Sequence, residues 1–212
     1  MRQRDAVSVL LSLVLWTSLP ALAAEPVLGR CEGCEAVFDG LPATLSAEAR
    51  IGTTETPGEP LTLSGTVFDA SGQPAAGAVV YAYQTDAGGR YPPDSSRGTA
   101  GSRHGLLHAW VRTDAEGHYR FHSIRPGAYP GQDIPQHIHL HVIEPGRCTY
   151  YIGDVLFRDD PLLDARRIAD EAQAPGGSGV VLPQGDATRG WTAHRDIHLG
   201  RNLSNYADCG AS

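Results

Sequence analysis

The chain has 212 residues, of which 41% are hydrophobic, enough for one packed core plus extras. Its formal net charge of −7 speaks against a nucleic-acid partner, which would require a basic face. With 25 glycines and 15 prolines the chain is rich in turns, which favours an all-β fold.

The N-terminus reads as a targeting segment. Met1-Arg2-Gln3-Arg4 is basic, Ala6 to Pro20 is apolar, and Ala21-Leu22-Ala23 is a small-x-small cleavage site. Residues 1–23 are thus expected to be a secretory signal peptide, too short to span a membrane comfortably. Its removal takes away a net +1 and leaves a chain of −8, soluble and exported to the periplasm or the medium. Residues 24–58 hold Cys31-Glu32-Gly33-Cys34 and read as an arm packed on the main domain, which covers 59–212.

The four cysteines, Cys31, Cys34, Cys148 and Cys209, are an even set in an exported chain. They read as two structural disulfides, with three pairings open. The Cys-x-x-Cys pair would also suit a redox centre or half a zinc site, but no βαβ context and no second such pair accompany it.

Alternation begins at Leu61, with Leu63 and Val67 on the same face. A turn at Asp69 to Pro74 leads to a strand at Val79 to Gln84. Thr85 to Gly105 is a long loop of the kind that carries function, and it holds Tyr91. Strands are expected at Leu106 to Thr113, His118 to Ile124, from His137 onward, at Thr149 to Phe157, and around Trp191 to Leu199. Leu163 to Ala174 is the one expected helix. The whole is an all-β sandwich of about seven or more strands, with long loops and one short helix.

The chemistry concentrates between Pro126 and Val142. Tyr129 sits in a Pro/Gly turn that runs into His137-Ile138-His139-Leu140-His141. Alternation puts the three histidines on one face and Ile138, Leu140 and Val142 on the other. A lone His-x-His is common in strands that hold no metal. A turn-borne Tyr129 beside the pair, and Tyr91 upstream, supply phenols as well as imidazoles. Anionic oxygen with imidazole suits oxidised iron better than zinc or copper. His141, His104 and His108 are candidates for the rim of such a pocket. Trp110, Trp191, Tyr81, Tyr83, Tyr150 and Tyr151 read as packing residues, and Asp159-Asp160-Pro161 as a turn before the helix.

Four blocks carry a family resemblance: Gly89-Arg90-Tyr91, Thr113 to Phe121, Ile124 to Pro130, and Pro135-Gln136-His137-Ile138-His139. Across about residues 59–162 the chain resembles the intradiol ring-cleavage dioxygenases, the family of protocatechuate 3,4-dioxygenase and catechol 1,2-dioxygenase. The cysteine-bearing arm and Arg103-His104-Gly105 resemble its exported branch.

The resemblance implies an Fe(III) cofactor held by Tyr91 and His137 as equatorial ligands and Tyr129 and His139 as the axial pair. It implies an aromatic diol and O2 as substrates, ring opening to a muconate-type diacid, and Tyr129 as a group that takes a catechol proton. Homo-oligomer formation is left open. Two departures stand out. Ile134 occupies a position where the family commonly has arginine, with Arg97, Arg103 and Arg112 as candidate substitutes. The tyrosine-to-histidine turn, Tyr129 to His137, is also several residues shorter than in the well-studied enzymes. The alternatives are a non-catalytic carboxypeptidase-regulatory or transthyretin-like module, suggested by Leu63 to Val67 and Thr113 to Phe121, and a metal binder without oxygenase activity.

Overall fold

The computed structural model describes residues 27–28 and 33–210; the segment 1–23 and Cys31 lie outside the described residues. Its strands are β1 (Val27–Leu28), β2 (Glu48–Arg50), β3 (Pro60–Phe68), β4 (Val79–Gln84), β5 (His108–Arg112), β6 (His118–Ile124), β7 (His137–Glu144) and β8 (Cys148–Phe157), then the short β9 (Val180–Val181), β10 (Gln184–Asp186), β11 (Gly190–His194) and β12 (Ile197–His198). Two short helices, α1 (Thr99–Ser102) and α2 (Ala165–Glu171), complete the set with 3-10 turns at Cys34–Phe38 and Tyr206–Asp208.

The strands form two sheets, in the orders β1-β8-β7-β4-β5 and β10-β11-β3-β6-β2, with β9 added to β8 and β12 to β3. This is the expected β-sandwich. The differences are at the margins. The strand expected from Leu106 starts at His108, because Leu106 N–H donates instead to Pro92 O (2.9 Å) and its side chain is 51% exposed. The closing segment is split at Arg195-Asp196 into β11 and β12, both parallel to β3. The helix is shorter than expected, and α1 forms inside the long loop.

One parity of β4, β7 and β8 faces the other sheet. Val80, Ala82, Ile138, Leu140, Val142, Tyr150 and Ile152 meet Leu61, Leu63, Val67 and Phe121 in the main core. The other parity of β4 is also buried, so this strand is dry on both faces. Val79, Tyr81, Tyr83, Trp110 and Ile143 pack there against Val37, Phe38, Leu41 and Leu45 of the arm, and against Tyr91 of the long loop. The arm thus roofs the outer face of one sheet, and the histidine face of β7 lies under that roof.

Of the cysteines, Cys148 and Cys209 form a disulfide that ties the C-terminal segment to the start of β8. Cys34 is also disulfide-bonded, and no described cysteine is free. Among the described residues no helix is long and apolar enough to cross a membrane.

Candidate active site

Two glycine contacts bring the phenols together. Asp86 Oδ1 accepts from the N–H of Gly88 (2.9 Å) and of Arg90 (3.0 Å), winding the loop that presents Tyr91. Gly89 has φ 75°, and a Cβ there would lie 1.9 Å from Ala128 O, in the turn that presents Tyr129. A Cβ on Gly127 would lie 2.5 Å from Ala87 O. Only glycine lets the two loops approach so closely. Thr85 Oγ1, donating to Gly127 O (2.8 Å), locks the contact.

The result is a cluster of four donor atoms. Tyr91 Oη and Tyr129 Oη are 2.6 Å apart. His139 Nε2 lies 3.0 Å from Tyr91 Oη, 3.4 Å from Tyr129 Oη and 3.1 Å from His137 Nε2. His137 Nε2 is 3.2 Å from Tyr129 Oη. Donors arranged around a single ion at bond lengths of about 2 Å have separations of this order. The structure therefore brings together all four residues singled out in the sequence.

Both imidazoles are oriented from behind. His137 Nδ1 donates to Pro135 O (2.7 Å), which leaves Nε2 as the lone-pair nitrogen. His139 Nδ1 lies 2.8 Å from Asp154 Oδ1, with Tyr151 Oη also donating to that oxygen. Tyr151 was expected only to pack, and Asp154 drew no attention in the sequence. Their placement comes from a bulge. Leu140 pairs with Ile152 and Ile138 with Val155, so Gly153 and Asp154 together oppose His139. Residues three apart in a regular strand point to opposite faces. The extra residue brings Tyr151 and Asp154 onto the same one.

Burial governs the ionisation of the cluster. It pushes the Tyr91 phenol far above its ordinary value, aided by the hydrogen bond to Tyr129, and raises Tyr129 as well. His137 is lowered by burial and by the neighbouring His139. Asp154 is pushed up by burial, but His139 prevails and holds its carboxyl below the ordinary value. Two buried phenolic oxygens and two imidazole nitrogens converging on one point are a donor set that a multivalent cation would suit.

Two clefts open on the cluster, and Tyr129 and His139 border both. One, of about 480 Å³, is lined by Tyr83, Tyr91, Arg103, His104 and Tyr151. The other, of about 410 Å³, is lined by Ile134, Pro135, His137, Asp154, Leu156 and three residues of α2. Tyr83, read as packing, is a wall of the first, with its ring 4.4 Å from that of His139 and 3.7 Å from that of His104. His104 is buried and receives Tyr81 Oη at Nδ1 (2.9 Å), and burial pushes its pKa down to about 3. His141 is fully buried beside Tyr81 and Tyr151, with Cys34 Sγ 3.5 Å from its Nδ1, and makes no contact with the four donor atoms among the interactions described.

Of the arginines considered as substitutes at the Ile134 position, Arg97 donates to Tyr81 Oη, Asp39 O and Ala36 O under the arm. Arg112 reaches Gly77 O, and Arg103, in the first cleft, pairs with Glu35 at 2.6 Å. None of the three lines the cleft that holds Ile134; Arg167, not singled out in the sequence, does. Asp160 acts as expected of a turn residue, accepting from Leu162 N (2.8 Å) and also from Gln136 N (2.7 Å), one residue before His137.

The chain is similar to known dioxygenases. A family model described as "Dioxygenase" matches residues 38–175. The protocatechuate 3,4-dioxygenase beta chain of Burkholderia cepacia is 35% identical over 112 residues, 50% of this chain and 48% of its own. The chlorocatechol 1,2-dioxygenase of Rhodococcus opacus is 32% identical over 146 residues, 61% of this chain and 53% of its own. The chain thus spans about half the length of the curated relatives it matches. A solved dioxygenase domain from Streptomyces sp. SirexAA-E, part of a fusion with a carbohydrate-binding protein, superposes with TM-score 0.53 at 26% identity, covering 75% of this chain and 91% of that one. The fold and these matches place the chain in the intradiol ring-cleaving dioxygenase family.

Proposed function

We propose that this protein is an exported, Fe(III)-dependent dioxygenase that opens a catechol-type ring between its two hydroxyl-bearing carbons. The observation that carries the reading is the convergence of Tyr91, Tyr129, His137 and His139 at separations of 2.6 to 3.4 Å. The donor set fits ferric iron: two phenols that burial keeps from ionising without a strong cation, and two imidazoles whose Nδ1 atoms are engaged elsewhere. Ferric iron there supplies Lewis-acid chemistry toward a diol and the electronic route to dioxygen.

The chain's own residues do the rest. Tyr91 and His137, which border one cleft each, form the fixed side of the site. Tyr129, bordering both clefts, is the group placed to take a diol proton at its phenolic oxygen. Asp154 keeps the Nδ1 proton on His139 and so keeps Nε2 free as a donor. Ile134, Leu156 and Pro135 give the ring a dry wall. Export is supported by the apolar N-terminal segment and by the Cys148–Cys209 disulfide, which persists in oxidising compartments.

The test is iron content and the visible spectrum of the purified chain, with and without catechol. One iron per chain, a phenolate-to-iron band that moves on adding catechol, and a muconate-type product are expected. A chain that takes up no iron refutes the reading. A chain that binds iron and catechol but consumes no dioxygen reduces it to a metal-binding protein.

A further inference from the structure

The first cleft is lined by a histidine whose tautomer is set from behind. His104 is 4% exposed and lies parallel to Tyr83, with the two rings 3.7 Å apart. Arg97 Nη1 donates to Tyr81 Oη (3.0 Å), and an arginine can only donate. The Tyr81 hydroxyl proton then has one acceptor among the described residues, His104 Nδ1 at 2.9 Å. Nδ1 therefore carries the lone pair, and the neutral ring holds its single proton on Nε2. Arg97 is fixed in turn by Asp39 O (2.9 Å) and Ala36 O, so the docked arm determines where that proton sits.

The Nε2–H group has no acceptor among the described residues, although the side chain is almost wholly buried. A buried donor without an acceptor is costly. Its surroundings leave room for one. Gly33 lines the same cleft with φ 80°, and a Cβ there would lie 2.5 Å from Nε2. Elsewhere in the cleft Tyr91 is engaged with Tyr129, His139 and Tyr151 with Asp154, and Arg103 with Glu35 at the exposed rim. Tyr83 stands between His104 and His139, its ring 4.4 Å from that of His139. His104 thus sits one aromatic ring beyond the four donor atoms.

We infer that His104 is a specificity residue. Its Nε2–H donates to a neutral acceptor oxygen, an ether or a carbonyl, carried by the substrate ring on the edge away from its two iron-binding hydroxyls. This rests on the ring-cleavage reading above. Tyr81 and Arg97 are positioning residues that hold the proton on the nitrogen beside Gly33. A single uncharged donor among aromatic walls favours a neutral oxygen over a carboxylate, because Arg103, the cation of this cleft, is already paired with Glu35.

The test compares 4-methoxycatechol with 4-ethylcatechol, which has a similar shape without the oxygen. The dissociation constant is read on the iron-loaded protein from the catechol-induced change in the visible band, with kcat/KM beside it. The methoxy group alters the ring's electronics equally in every variant, so the quantity compared is the methoxy-to-ethyl ratio within each chain. That ratio should favour methoxycatechol about three- to tenfold more in the native chain than in His104→Phe, with an intermediate value in Tyr81→Phe. A second readout needs no iron. Nitrogen-15 NMR of the metal-free chain should show His104 protonated at Nε2, and Tyr81→Phe should move it toward the Nδ1 form. A ratio unchanged in His104→Phe, with unsubstituted catechol still bound, overturns the proposal and leaves the ring-cleavage reading standing. So does a His104 protonated at Nδ1 in the native chain, a measurement that needs no variant to fold. Absence of any spectral response to unsubstituted catechol refutes the ring-cleavage reading, and this proposal with it.

Discussion

Asp154→Asn separates a geometric site from a merely crowded one. In the native chain one carboxylate oxygen accepts from both His139 Nδ1 (2.8 Å) and Tyr151 Oη, in a position that is three-quarters covered. A hydrogen bond to a charged partner contributes about 1.5–3 kcal/mol, roughly twice a neutral one. The amide keeps the shape and an acceptor but loses the charge, so about half of that contribution should disappear. The amide NH2 can also turn toward His139 and favour the tautomer with its proton on Nε2, which removes a donor from the cluster. The expected result is a loss of about 10- to 100-fold in iron affinity, measured by competition with a chelator, with a melting temperature close to native. A blue or red displacement of the phenolate-to-iron band should accompany it. If the variant holds iron as tightly as the native chain, with an unchanged band, Asp154 does not orient His139 and the argument from the bulge in β8 fails.

Four further outcomes follow from the same structure. Tyr91→Phe should abolish or strongly weaken the visible band on iron addition while leaving the fold intact by circular dichroism, because only one oxygen is removed from the cluster. Gly89→Ala should destabilise the fold by more than about 1–2 kcal/mol in denaturant titrations and also lose iron, since the left-handed backbone is strained and the Cβ meets Ala128 O. Replacing Cys148 and Cys209 together by serine should cost about 4 kcal/mol by the loop-closure estimate for a separation of 61, measured in urea against the native chain. His104, with its pKa held down near 3, stays neutral in the folded chain and takes up a proton on unfolding below its ordinary 6.5. Its contribution to stability is thus present above pH 6.5 and is lost as pH falls toward 3. His104→Phe should remove up to one proton, about 1.4 kcal/mol per pH unit, from the acid slope of unfolding.

The contrast between Tyr129 and Tyr151 shows what kind of signal each site residue leaves in a sequence. Tyr129 sits eight residues from His137, in a Pro/Gly turn, and the local pattern is enough to mark it. Tyr151 lies in a run of strand residues between Tyr150 and Ile152, indistinguishable from a packing aromatic. Its role depends on its pairing opposite His141 and on the bulge that brings Asp154 to the same face. Arg167, Asp170 and Glu171 are similar: in sequence they are three charges on an amphipathic helix, and only the docking of α2 beside Ile134 makes them a cleft wall. The burial of His104 and His141 likewise depends on the roof formed by the arm, which alternation along a single strand does not reveal.

Strand alternation and glycine and proline punctuation are local properties, so the chain by itself marked the β-sandwich class and the turn-borne Tyr129 beside His137 and His139, while Tyr91, 38 residues before Tyr129, joined them as a ligand through the family resemblance. Tertiary structure decided what surrounds them: the carboxylate behind His139, the partner of Cys148, the apolar and acidic walls of the two clefts, and the closeness of Gly89 to Ala128. These depend on contacts between residues far apart in the chain, set by strand register and by the packing of arm and helix onto the outer face of one sheet. A single bulged residue there changes which side chains meet, while the hydrophobic pattern on either side of it stays the same.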